Sequence, residues 1–315
     1  MGEHLTAAPP RAMSEAARGH LAMLGFAAGV AGSFSLGALA ANEISPTAIS
    51  TARFAIAAIL LGLFSWAGPG LRREQFRAPW RFLLLGALFA AYFVLMFEGL
   101  KTATPVSTSA VFTLTPIMTA GFGYLLLRQV LTPRMALGLA VGAGGALWVI
   151  FRGDVALLMN FHVGRGEAIY FIGCATHALF TPLLRLLNRG EPSVVSTFGV
   201  MTGGFVILLV WSWGDVMATD WMSLPPIVWV TLVYVAVVAS AITFFLLQYA
   251  AMRLPSAKVM AYTYLVPSFV ILWEVAMGNG VPPALVLPGV GLSVLALVIL
   301  LKNEEGQTPA PPPSS

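Results

Sequence analysis

KTATPVSTSAVFTLTPIMTAGFGYLLLRQ, residues 101–129, decides how the chain is read. It is an apolar segment long enough for a membrane helix, with Ser107, Thr108, Ser109, Thr113 and Thr115 ahead of an internal proline, Pro116. It also has a counterpart in the second half of the chain. A shift of 151 carries Ala110, Leu114 and Pro116 onto Ala261, Leu265 and Pro267, and carries Gly138 onto Gly289. One offset spanning two consecutive apolar segments points to a duplicated unit, and internal repetition constrains a fold before any local feature does.

The composition says which solvent the unit faces. Of 315 residues, 58% are hydrophobic and 10% charged, with a mean hydropathy of +0.85. Soluble proteins carry about 25% charged residues, so this chain cannot clothe a water-facing surface and must face lipid. Apolar runs recur at the length of roughly 20 residues that crosses about 30 Å of hydrocarbon. Ten spans are expected, at 20–40, 49–68, 81–99, 105–127, 133–151, 167–188, 194–213, 226–248, 256–277 and 283–302. The polar, proline-containing ends, 1–18 and 303–315, read as disordered tails. The short connections leave no room for a soluble catalytic domain.

The basic residues set the topology. With the N-terminus in the cytoplasm, inside segments hold Arg11, Arg18, Arg72, Arg73, Arg77, Arg81, Arg128, Arg134, Arg185, Arg189, Arg253, Lys258 and Lys302. Outside segments hold Lys101, Arg152 and Arg165. Thirteen against three places both ends in the cytoplasm and argues against reading the net charge of +4 as a nucleic-acid surface. The first run, ending in Ala38-Leu39-Ala40, resembles a cleaved signal peptide, but a five-plus-five repeat requires it to be retained. Five spans per unit is an odd number, so the second unit lies upside down relative to the first. The expected fold is therefore an all-α integral membrane protein of ten transmembrane helices in two inverted five-helix repeats. The units are 19–152 and 166–302, with 153–165 as linker. Inverted repeats of this kind place a binding site near the midplane where the halves meet.

The order and spacing of several motifs resemble the drug/metabolite transporter superfamily, in its tandem EamA-domain form. The likeness rests on AGSFSLGALAANEISPTAISTARF (31–54), GLKTATPVSTSAVFTLTP (99–116) and LLLRQVLTPRMALG (125–138) in the first unit. In the second it rests on GRGEAIYFIGCATHALFTPLLRLL (164–187), QYAAMRLPSAKVMAYTYLVP (248–267) and Gly289. It covers nearly all of the membrane portion. The chain departs from the family at Gln129 and Gly280, which stand where the family usually has a glutamate. It departs again at Ala31 and His177, which align where a tryptophan is frequent. The resemblance implies a secondary carrier of small metabolites, an exporter in the bacterial inner membrane, with spans one, three, four, six, eight and nine around the cavity. It does not name the solute, for which amino acids, nucleobases and amphiphilic drugs are all compatible.

The candidate site residues follow from the membrane's intolerance of polar groups. Glu274 lies inside the ninth span and Glu98 at the outer end of the third, beside Lys101. If both lined one cavity they would form a proton-coupling pair; separately, each has an interfacial role. His177, in mid-span, can donate, accept and titrate near neutrality. Tyr262, Tyr264 and Trp273 supply aromatic surface with polar tips, with Tyr92, Ser33 and Gln248 as further substrate-binding candidates. For each of these, packing is the plainer alternative. Pro116 and Pro267 each remove a helix hydrogen bond and are the expected hinges. Arg53 is read as structural, about one turn into the second span, snorkelling or pairing with Glu43. Gly138, Gly142, Gly144 and Gly145 form a close-packing face; the chain is a monomer or a homodimer. No phosphate loop, zinc-protease motif or nucleophile elbow is present, so no cofactor, metal or catalytic residue is expected. The partners expected are a small-molecule substrate and the lipid bilayer. Two other classes remain open: a lipid-modifying membrane enzyme, and a non-transporting sensor or assembly subunit.

Overall fold

The structure is a computed structural model describing residues 14–159, 163–251, 253–254 and 256–301. Side chains at 248, 251 and 256–258 are outside the described set, as are most of both tails. Among the described residues, ten apolar helices are long enough to cross a membrane: α1 (Glu15–Ala40), α2 (Pro46–Ala67), α3 (Trp80–Leu100), α4 (Pro105–Leu127), α5 (Pro133–Ile150), α6 (Arg165–Leu187), α7 (Ser193–Trp211), α8 (Pro226–Leu247), α9 (Val259–Ala276) and α10 (Ala284–Leu301). The protein is an all-helical integral membrane protein.

Prolines and hydroxyls mark the starts. Pro46, Pro105 and Pro133 occupy first-turn positions, where a missing N–H costs nothing. Thr104 and Thr132 cap α4 and α5, their side chains accepting from the Ser107 and Met135 amides. Exposed Trp66, Trp80, Trp211 and Trp213 lie at span ends, where an amphipathic ring suits the lipid–water boundary.

Successive spans alternate in direction, so the bundle has two faces. Both described chain ends, at Ser14 and Leu301, lie at one face, here the terminal face; the other is the distal face. Much of the packing is preserved under exchange of α1–α5 with α6–α10, although α1 also meets α3 and α4, and α2 meets α3, without equivalents in the second unit. α1 packs on α8 and α9 as α6 packs on α3 and α4, and α2 meets α8 as α7 meets α3. The pairs α2–α7, α4–α9 and α5–α10 map onto themselves. With five crossings per unit, this pattern requires the two units to be inverted.

Lipid is as apolar as leucine, so these helices associate by close packing rather than by expelling water. Glycines make the closest seams. A methyl on Gly145 would stand 2.6 Å from the Gly289 carbonyl oxygen, and one on Gly99 would stand 2.7 Å from that of Gly166. The glycine face of α5 is thus spent inside the chain: Gly138 on Leu300, Gly142 on Tyr264 and Gly145 on α10. Gly144 faces open space.

Both repeat-related prolines follow a break. α4 consists of helices Pro105–Phe112 and Thr115–Leu127, separated at Thr113-Leu114. α9 contains a 3₁₀ turn at Tyr262–Leu265 before Val266–Ala276. The distal half of α4 packs on the distal half of α9, whereas its terminal half goes to α6, and the terminal part of α9 goes to α8 and α10. The two helices therefore meet on one side of the bundle and part on the other.

Candidate functional site

Where they part lies a cavity of ≈ 260 Å³, near the lower end of the roughly 300–1,000 Å³ common for small-molecule sites. Its end toward the terminal face, here called its mouth, is lined by Met23, Leu184, Thr197, Leu247 and Val259. Its floor is at Ser33, Arg53, Phe93 and Phe112, beyond the middle of the bundle. Spans α1, α2, α3, α4, α6, α7, α8 and α9 contribute to the wall; α2 and α7 add to the six that the resemblance implied. Above the floor the distal half is packed shut. Phe34, Ile49, Phe97 and Tyr170 are fully buried there, and Phe34 lies 5.9 Å from Phe112 and 6.0 Å from Tyr170 between ring centroids.

One wall is aromatic. His177 stacks on Tyr92 at 4.6 Å and on Phe89 at 5.8 Å, and Phe89 stacks on Phe180 at 5.0 Å. The Tyr92 hydroxyl accepts a 2.9 Å hydrogen bond from Tyr170. Nδ1 of His177 has no partner among the described residues. Ser33 borders the floor and donates to the Val30 carbonyl at 2.6 Å.

The floor, next to this wall, carries Arg53, 2% exposed. The expectation of a snorkelling residue paired with Glu43 is overturned. α2 begins at Pro46 rather than 49, so Arg53 sits two turns from the distal end, and Glu43 is exposed in the preceding turn. The guanidinium carbon lies 3.5 Å from the Phe93 ring centroid. Nε and Nη2 donate to Ser240 Oγ at 3.2 and 3.1 Å, and Nη2 donates to the Ala239 carbonyl at 3.4 Å. These partners come from a π-helical stretch, Tyr234–Ile242, whose wider turn also lets Ser240 Oγ donate to the Val235 carbonyl five residues back. Such stretches are frequent at functional sites. Nη1 has no partner among the described residues.

Several expected site residues lie elsewhere. Tyr264 is fully buried and fills the notch left by Gly142 on α5. Tyr262 contacts His20 Nδ1 at 2.8 Å near the terminal face. Trp273 donates to the Ala28 carbonyl at 3.3 Å and packs edge-on against Tyr234. None of the three lines this cavity, because the 3₁₀ turn rotates that face of α9 toward α1, α5 and α10; Thr263 lines it instead. The side chain of Gln248 lies outside the described residues. Glu98 and Glu274 form no common site. Glu98 pairs with Lys101 at 2.7 Å, and Glu274 accepts from Asn279 Nδ2 at 2.9 Å at the distal end of α9.

The family models place this architecture. The EamA-like transporter family matches residues 17–151 and again 164–302. The chain belongs to the EamA-like transporter family. A relative from Bacillus subtilis (strain 168), named "Uncharacterized transporter YyaM", is 24% identical over 284 residues, covering 89% of this chain and 92% of the relative. A solved crystal structure with 18% sequence identity superposes with a TM-score of 0.62 over 91% of this chain and 96% of its own. That likeness is one of fold.

Among the residues missed from sequence, Arg53 matters most. Its signal was present: an arginine in an apolar span with no acid at helical spacing on either side, after a Ser45-Pro46 start that fixes its depth.

Proposed function

We propose that the protein is a secondary transporter that exports small organic metabolites across a bacterial inner membrane by alternating access, with both termini in the cytoplasm. The observation that carries the reading is the one-sided cavity between two repeat-related halves. Most contacts map onto one another under repeat exchange, and the few that do not would swap between the units as the cavity changes face, so one sequence can build both access states. The breaks before Pro116 and Pro267 are the hinges in this account. Each lacks a backbone donor at the point where its helix changes neighbours. The charge count favours the terminal face as cytoplasmic, and direction of transport rests on the family resemblance.

Our reading puts proton coupling at His177, which lines the cavity, in place of Glu98 and Glu274, which have separate partners near the distal face. An imidazole facing the solute can take a proton in one access state and release it in the other. The test is counterflow in proteoliposomes. Vesicles loaded with a metabolite panel accumulate a labelled member when the protein is present. Equal uptake by protein-free vesicles for every solute removes the reading.

A further inference from the structure

The floor of the cavity is electrically one-sided. Among the described lining residues, Arg53 carries a fixed charge and no Asp or Glu is present. A guanidinium keeps its proton in proteins, and a buried charge without a counter-ion is strongly unfavourable. Ser240, Ala239 and the Phe93 ring fix the guanidinium plane but supply no negative charge. They occupy Nε and Nη2 and leave Nη1 with both its hydrogens. The other titratable side chains in the wall, His177 and Tyr92, add positive charge or none under neutral conditions. The fold has thus built a cation at the end of an aromatic slot and left its counter-ion to come from outside.

Resting on the transporter reading above, we infer that the solute is an organic monoanion: a carboxylate that pairs with the Arg53 guanidinium, joined to a flat aromatic body that stacks among Phe89, Phe112, His177 and Phe180. The carboxylate enters head-first toward the floor, since Arg53 lies beyond the rings as seen from the mouth. Planar oxygens suit the guanidinium edge. Zwitterions are disfavoured, because an α-ammonium would enter the same apolar space with no carboxylate to receive it. Specificity therefore falls on carboxylates without an adjacent ammonium, which narrows the field away from amino acids.

Four probes sharing one phenylpropyl frame test this by calorimetric binding to the detergent-purified full chain: 3-phenylpropionate, L-phenylalanine, 3-phenylpropanol and 3-phenylpropylamine. The wild type is expected to bind 3-phenylpropionate at least tenfold more tightly than the other three, with the amine weakest. Arg53→Lys keeps that order. Arg53→Gln brings the carboxylate down to the level of the alcohol. Ser240→Ala, which keeps the charge but removes the hydroxyl that orients it, weakens the carboxylate severalfold and leaves the alcohol unchanged, and it serves if Arg53→Gln does not fold. Binding of L-phenylalanine or the amine as tight as that of 3-phenylpropionate overturns the inference, as does absence of binding by all four. Counterflow separates the two readings. Carboxylate-selective binding without counterflow refutes transport and leaves the anion site standing. Counterflow with no preference for carboxylates refutes the anion site and leaves transport standing.

Discussion

Substitution of Gly86 by alanine tests the packing that places the aromatic wall. Gly86 lies where α3 crosses α7. An added methyl would fall on the Gly204 amide nitrogen, 2.7 Å from both the Gly203 carbonyl carbon and the Val200 carbonyl oxygen. All three are backbone atoms, so no side-chain rotation relieves the clash. At 2.7 Å the contact is well inside the carbon–carbon optimum of roughly 3.5–4.0 Å, so the helices must separate by about 1 Å. Overpacking of this kind costs about 1–3 kcal/mol, against a helix-propensity gain of up to ~1 kcal/mol for replacing glycine. The expected result is a net loss of stability, read as a lower melting temperature in detergent. Since α3 carries Phe89, Tyr92 and Phe93, ligand affinity falls as well. Gly144→Ala is the matched control: nothing lies within 4 Å of its added methyl, so it is neutral or mildly stabilising. Equal melting temperatures for Gly86→Ala and Gly144→Ala would refute the seam.

Three further outcomes follow from particular contacts. Arg81 donates to Glu191 at 2.7 Å and to the Leu187 carbonyl at 2.6 Å, tying α3 to the connection between α6 and α7, with side chains only 3% and 4% exposed. Burial alone would raise the Glu191 carboxyl, but hydrogen bonds from Arg81 and from backbone amides, with the Arg81 charge, hold it below its ordinary range. A lowered folded-state value means the pair's stabilisation is complete above the unfolded value of about 4.3 and is lost as pH falls through the folded one. Glu191→Gln should cost on the order of 3 kcal/mol at neutral pH, the lower end for breaking a buried pair, and should flatten the acid limb of a melting-temperature profile. Glu274→Gln should leave the pH dependence of counterflow unchanged, while His177→Asn alters it; the reverse pattern would move coupling to the distal face. Pro267→Ala restores a donor at the α9 break and should slow counterflow while leaving ligand affinity within about twofold, checked by parallel flux and binding measurements.

The repeat was legible because its signal is backbone-level. Pro116 and Pro267 cannot donate, and Gly138 and Gly289 admit a neighbouring helix, wherever they fall in a helix of this length. Ten apolar runs and their loop charges carried the fold class for the same reason. The orientation of each helix about its own axis was not legible. In a span apolar all round, no polar face marks the interior, so Tyr262, Tyr264 and Trp273 could not be told from Thr263 by spacing. The 3₁₀ turn that sorts them is a departure from the periodicity on which such spacing relies. Arg53 was misjudged by one helical turn, from placing the start of α2 at 49 instead of Pro46. His177 and Tyr92 were singled out from polarity at depth, and the structure brings them together at 4.6 Å.

The measurement that bears most directly on the central claim joins the cavity to transport. The chain has a single cysteine, Cys174, which is buried; replacing it with serine gives a background for Thr181→Cys, placed in the cavity wall. A membrane-impermeant thiol reagent added at the face that holds the N-terminus should label this position and abolish counterflow. A cysteine inert to reagent from that face, or one labelled fully while counterflow persists, would contradict the account.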